Sequence, residues 1–146
     1  MHSWKTVPST TDGFTLNYKG KWRETNVKIE TTEWSVEKSA SRWFELSQPN
    51  VIKLFGACNI GYPEFLVCEL MRGGRGLFEI LHDDDLNRGG KMWKCLYQAA
   101  LGLRYIHSRG LAHGDLRPEN ILVGSNLVTK LTGLHCDSYR FSNSGR

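Results

Sequence analysis

One stretch restricts this chain more than any other. His113-Gly114-Asp115-Leu116-Arg117-Pro118-Glu119-Asn120 is largely polar and runs directly into Ile121-Leu122-Val123. Upstream, Trp93, Leu96, Tyr97, Ala100, Leu103 and Ile106 recur at helical spacing over residues 92–108. Gly110 supplies a stop to that helix. Downstream, residues 120–124 and 128–132 read as the two short strands of a hairpin. The polar stretch is therefore a loop between a long helix and a hairpin. A plain solvated connection would satisfy that position, but it would not require Asp, Arg and Asn at these intervals.

The eight residues resemble the catalytic loop of eukaryotic protein kinases, H-R-D-L-K-P-E-N, with one clear departure, Gly114 in place of Arg. In that family the Asp accepts or orients the substrate hydroxyl proton, the basic residue two positions on reaches the transferring phosphate, and the Asn holds a metal ion. The resemblance implies Asp115 and Arg117 in catalytic roles and Asn120 as a metal ligand. It also implies ATP, magnesium and a protein substrate. Tyr18-Lys19-Gly20-Lys21-Trp22, residues 50–58 and residues 66–71 are similar to the tyrosine-kinase-like (TKL) Ser/Thr group. Pro118-Glu119-Asn120 favours Ser/Thr over tyrosine specificity.

Taken in order, residues 1–13 read as loop, with a short strand around residues 4–7. Residues 14–22 and 25–30 read as strands joined by a turn at Arg23-Glu24. The resemblance sets a phosphate loop over residues 10–16. Only Gly13 lies there, beside Asp12, so an ordinary turn fits better than a phosphate clamp. Val27-Lys28-Ile29-Glu30 stands where the family has V-A-I-K. Read without a gap, Glu30 takes the lysine position; with a two-residue deletion, Lys28 does. Strand period puts both on one face, and the choice stays open. Residues 31–46 read as a helix capped by Thr31 or Thr32, with Trp43 toward the core. Counting back from Asn50 puts Ser39 where the family has the glutamate that pairs with the lysine.

Residues 51–58 and 65–71 read as two further strands. By resemblance Cys68 falls at the gatekeeper position, and Glu69 to Met71 form the hinge that contacts adenine. Leu122 lies in the hairpin under the nucleotide. Gly73-Gly74-Arg75-Gly76 reads as a linker before a short helix at residues 77–81. His82-Asp83-Asp84-Asp85 reads as a solvated acidic turn. After Lys130-Leu131-Thr132 the family places D-F-G; here stand Gly133-Leu134-His135. Either the triplet became G-L-H, or Asp and Phe were lost and Gly133 survives. In both cases the metal-binding Asp is missing. His135, Cys136 and Asp137 form only a weak local metal signal.

Composition limits the function classes. The chain has 146 residues, 40% hydrophobic and 23% charged, a globular balance for one domain. The net charge of +4 is spread along the chain, which gives no basic patch for nucleic acid. Cys58, Cys68, Cys95 and Cys136 form no C-x-x-C pair. Free thiols in a reducing, cytoplasmic setting are expected. No signal peptide and no membrane span are expected.

The expected fold class is α+β and protein-kinase-like: an antiparallel β small lobe with one helix, then the first part of a helical large lobe. Residues 1–146 are expected to form a partial kinase domain. Its small lobe and hinge span about 14–71, and the start of the large lobe spans 72–146. The implied cofactor-binding residues are Lys28, Cys68, Glu69, Met71 and Leu122. The departures point to impaired phosphoryl transfer. An active kinase, a pseudokinase serving as an interaction or regulatory module, and a fragment without independent function all remain open. Self-association is expected through the helix from Met92 to Ser108, whose apolar stripe exceeds what the small lobe covers.

Overall fold

Val27, Ile29 and Thr31 alternate with Lys28 and Glu30, and this period-two pattern makes a strand with one buried face. The computed structural model describes residues 16–32 and 35–135. Within them β1 (Asn17–Trp22) pairs antiparallel with β2 (Thr25–Thr32). Arg23 and Glu24 turn the chain between them with φ of 47° and 65°, the left-handed pair that a two-residue hairpin turn requires. β4 (Glu64–Glu69) pairs antiparallel with β2 on one side and with β3 (Leu54–Cys58) on the other. The sheet order is β1-β2-β4-β3.

Helix α1 (Val36–Phe44) lays Val36, Ala40 and Trp43 into the core, an i, i+4, i+7 stripe. Trp43 is 1% exposed, and its indole N–H donates to the Ile52 carbonyl at 2.8 Å. The expectation of a helix from residue 31 is corrected here. β2 continues through Thr32, with Thr31 opposite Phe65 and Thr32 opposite Glu64. The Thr31 hydroxyl accepts from the Leu16 N–H at 3.0 Å. β-branched side chains beside an open strand edge went to the ladder rather than to capping. Ser35 stands at the helix N-cap instead.

The second half begins with β5 (Arg75–Gly76), α2 (Leu77–Ile80) and α3 (Asp84–Asn87), whose N-cap Asp83 accepts from the Asp85 N–H at 3.0 Å. Helix α4 (Lys91–Ser108) follows. Then come the loop, a single turn at Pro118–Asn120, β6 (Ile121–Val123) and β7 (Thr129–Leu131). The sheet order there is β5-β6-β7. The buried face of α4 is Cys95, Ala99, Gly102 and Ile106. Trp93, Leu96 and Tyr97 point outward, which divides the apolar stripe read from the sequence. The cause is close approach: a β-carbon on Gly102 would stand 2.6 Å from the Asn50 carbonyl oxygen. Large side chains cannot face so near a neighbour, so small residues do.

One hydrophobic cluster runs through both halves. It takes Val36, Trp43, Leu54 and Leu66 from the first half, and Ala99, Ile106, Leu131 and Leu134 from the second. Polar seams reinforce it. The Leu131 N–H donates to the Asn50 carbonyl at 2.8 Å, and the Ile52 N–H donates to the Leu131 carbonyl at 2.9 Å. The Asn50 amide donates to the Thr129 carbonyl at 2.9 Å.

Candidate active-site cleft

Where the Lys28–Glu30 face of β2 looks across at β6, the segment after β7 and the polar loop, a cleft of about 650 Å³ opens. Its apolar lining includes Trp43, Leu66, Leu70, Met71, Leu122 and Leu134. This size and mix suit a small organic ligand. The strand period brings Lys28 and Glu30 onto the cleft side together. They pair with each other: Lys28 Nζ lies 2.6 Å from Glu30 Oε2, with both side chains about four-fifths buried. Ser39 of α1 lines the same wall and carries no charge.

Asp115 and Asn120 meet at the opposite wall. The Asn120 side-chain amide donates to the Asp115 carbonyl at 2.8 Å and to Asp115 Oδ2 at 2.9 Å. His113 is buried behind them. Its Nδ1 accepts from the Asp115 N–H at 3.2 Å. Nε2 must therefore carry the proton, and it donates to the Thr132 carbonyl at 2.8 Å. Burial lowers the pKa of His113 below its ordinary value, against the opposing pull of the Thr132 carbonyl and Asp115.

Two glycines hold this arrangement. Gly114 has φ +84°, and a β-carbon there would stand 2.1 Å from the His135 carbonyl oxygen. The His135 N–H donates back to the His113 carbonyl at 3.0 Å. The segment after β7 is thus seated on the loop backbone, and the absent arginine side chain has a physical reason. Gly133 has φ +65°, and its β-carbon would stand 2.5 Å from Asn120 Oδ1. The Asn120 carboxamide lies directly on the Gly133 backbone, where a side chain at 133 would begin.

The remaining predicted residues fall into two groups. Lys28, Glu69, Met71, Asp115, Asn120 and Leu122 all line the cleft. Cys68 and Arg117 do not. Cys68 is 0% exposed in β4, opposite Lys28 in the ladder, and burial pushes its thiol up to about 12. Arg117 pairs with Glu119 at 3.0 Å, and that contact, after the Glu119 backbone N–H, helps hold the Glu119 carboxyl below its ordinary range. Glu69 forms an ion pair with Lys130, and its Oε2 accepts from the Lys53 N–H at 3.2 Å. Among the described residues no three His, Cys, Asp or Glu side chains cluster as a metal site. The expectations for residues 1–15, Cys136 and Asp137 lie outside the described residues.

Sequence reasoning missed Thr132. It is buried on the cleft lining, and its hydroxyl has no hydrogen-bond partner among the described residues. It reads only as the last residue before the D-F-G position, and no period marks its burial. The two glycine contacts were also missed as contacts, although the departures at 114 and 133 were visible.

The comparisons agree with this geometry. The sequence model of the family described as "Protein tyrosine and serine/threonine kinase" matches residues 19–140. Human mitogen-activated protein kinase kinase kinase 7 is 34% identical over 134 residues, covering 82% of this chain and 22% of that protein. "Probable serine/threonine-protein kinase C70.05c" of Schizosaccharomyces pombe is 34% identical over 115 residues, covering 70% of this chain and 14% of its own length. Human tyrosine-protein kinase Fer is 29% identical over 124 residues, 79% of this chain and 15% of its own. The chain spans less than a quarter of the length of these relatives. It belongs to the protein kinase family, and its antiparallel sheet with helices fits the α+β architecture of that family. No described helix is long and apolar enough to cross a membrane.

Proposed function

We propose that the chain is a Ser/Thr-type, TKL-like protein kinase domain whose phosphoryl-transfer machinery is incomplete, serving as a binding or regulatory module. The observation that carries this reading is Gly133. Phosphoryl transfer is almost entirely positioning and charge neutralisation. Position 133 offers no carboxylate, and Asn120 packs on its backbone. Magnesium asks for near-octahedral oxygen ligation. Asp115 and Asn120, already bonded to each other, do not make such a site. The described residues therefore do not fit a resident magnesium ion, and no catalytic step is assigned through one. Lys28 is engaged by Glu30 within one strand, and Ser39 of α1 is uncharged, so strand and helix lack the ion pair that organises an active kinase. A cytoplasmic setting belongs to the same reading, supported by the unpaired Cys58, Cys68 and Cys95.

The test is phosphate transfer from labelled ATP to a generic Ser/Thr protein substrate, beside an Asp115→Asn control. Incorporation no greater than the control is expected. Incorporation that Asp115→Asn abolishes would overturn the reading.

Association through α4 is a second part of the proposal. Trp93 is 76% exposed, Tyr97 66% and Leu96 37%, all on one helix face. An aromatic patch of this kind favours protein contact. Light scattering should give a larger mass for the wild type than for Trp93→Ser/Tyr97→Ser. Equal monomer masses would remove this part.

A further inference from the structure

The charge of the cleft does not suit the cofactor that its shape invites. Among the described residues five carboxylates line it: Glu30, Glu69, Glu79, Asp115 and Glu119. Lys19 and Lys28 are the lysines among the lining residues. Lys28 is held by Glu30 at 2.6 Å. Two further cations stand close by, and each is matched by a lining carboxylate, Lys130 by Glu69 and Arg117 by Glu119. Glu79 and Asp115 have no ion pair among the described residues. A polyphosphate would enter against this balance, with no side chain at 133 to bring a metal ion to it. A neutral ligand meets no such barrier. It finds the apolar lining of Leu66, Leu70, Met71 and Leu122.

We propose that this cleft takes an uncharged nucleoside-class heterocycle without metal, and that Glu30, by holding Lys28, is the residue that turns phosphates away. The proposal rests on the reading of this cleft as a kinase-type nucleotide site. It specifies which part of a nucleotide the cleft accepts. Glu30 acts in two ways. Its carboxylate occupies the ammonium group that a phosphate would otherwise use, and its own charge repels that phosphate. Like charges this close repel weakly in water and several times more strongly at the dielectric near a protein surface. A half-open cleft lies between these limits, so one carboxylate changes phosphate affinity by about tenfold or more.

The experiment is calorimetric titration of the full chain with adenosine and with ATP, each with and without magnesium. Wild type should bind adenosine about tenfold tighter than ATP, with magnesium making no difference. Glu30→Gln keeps the size and strand preference of the side chain and frees Lys28. It should tighten ATP by about tenfold and leave adenosine unchanged. Adenosine binding by the variant also reports that it has folded, and the wild-type comparison stands without it. ATP binding tighter than adenosine in the wild type, or an unchanged ratio in Glu30→Gln, overturns the proposal while the nucleotide-site reading survives. If neither ligand binds, both fail together.

Discussion

A single methyl group at position 114 should unseat the loop. In Gly114→Ala two costs add. The residue sits at φ +84°, and a side chain in the left-handed region costs about 1–2 kcal/mol. The new carbon would also stand 2.1 Å from the His135 carbonyl oxygen and 3.0 Å from its carbon, roughly 1 Å inside ordinary contact. Backbone has to move, and the His135 N–H to His113 carbonyl bond at 3.0 Å opens with it, for about another 1 kcal/mol. The expected loss is about 2–3 kcal/mol, a large share of a domain's net 5–15 kcal/mol or so. Gly114→Arg should differ from Ala by less than about 0.5 kcal/mol. Gly114 is otherwise exposed, and the rest of an arginine can reach water. Urea unfolding should show a lower midpoint at an unchanged slope for both variants. An alanine variant within about 0.5 kcal/mol of the wild type would refute the claim that the loop and His135 are seated on each other.

Acid should weaken the fold through His113. Its folded pKa lies below the ordinary value of 6.5, so the unfolded chain takes the proton first. Stability is then fully present above about pH 6.5 and falls with pH down to the folded pKa, by up to about 1.4 kcal/mol per unit. His113→Gln should flatten that part of a stability–pH profile, and an unchanged slope would assign it elsewhere. Trp43→Phe removes the N–H to the Ile52 carbonyl in a fully buried site. It should cost about 1–3 kcal/mol in thermal or urea unfolding, and a neutral result would mean the carbonyl finds another donor. Cys58 should react with iodoacetamide before Cys68, whose thiol burial pushes up to about 12. Peptide mass spectrometry that finds Cys68 modified first would show a more open sheet.

Periodic features were legible in the chain, and contacts were not. Residues 14–22 and 25–30 read as strands divided by Arg23-Glu24, and β1 and β2 pair across that turn. Thr31 and Thr32 were misread because a β-branched threonine suits a helix cap and a strand equally. Phe65 and Glu64 of β4 decided between them. On α4 the repeat located the helix but not its inner face. Large apolar residues looked like core, yet the nearness of Asn50 to Gly102 reserved the inside for small ones. At the site, fixed loop spacing was enough to bring Asp115 and Asn120 together. The strand period put Lys28 and Glu30 side by side, but not the ion pair between them. Gly114 and Gly133 read only as losses from a motif. Their backbone contacts join residues distant in sequence, and no local pattern reports those.

The continuous core described above bears on how the molecule could be divided. The linker at Arg72-Gly73-Gly74 is exposed, an accessible place for a protease or for an inserted sequence. A cut there severs one covalent connection and leaves the Asn50–Leu131 bonds, the Glu69–Lys130 pair and the shared packing of Trp43, Leu54, Ile106 and Leu131 in place. The two pieces are therefore complements rather than modules. Each carries half of a surface that neither can bury by itself, so expressed apart they should be poorly folded. Mixed, they should reassemble into one nicked fold.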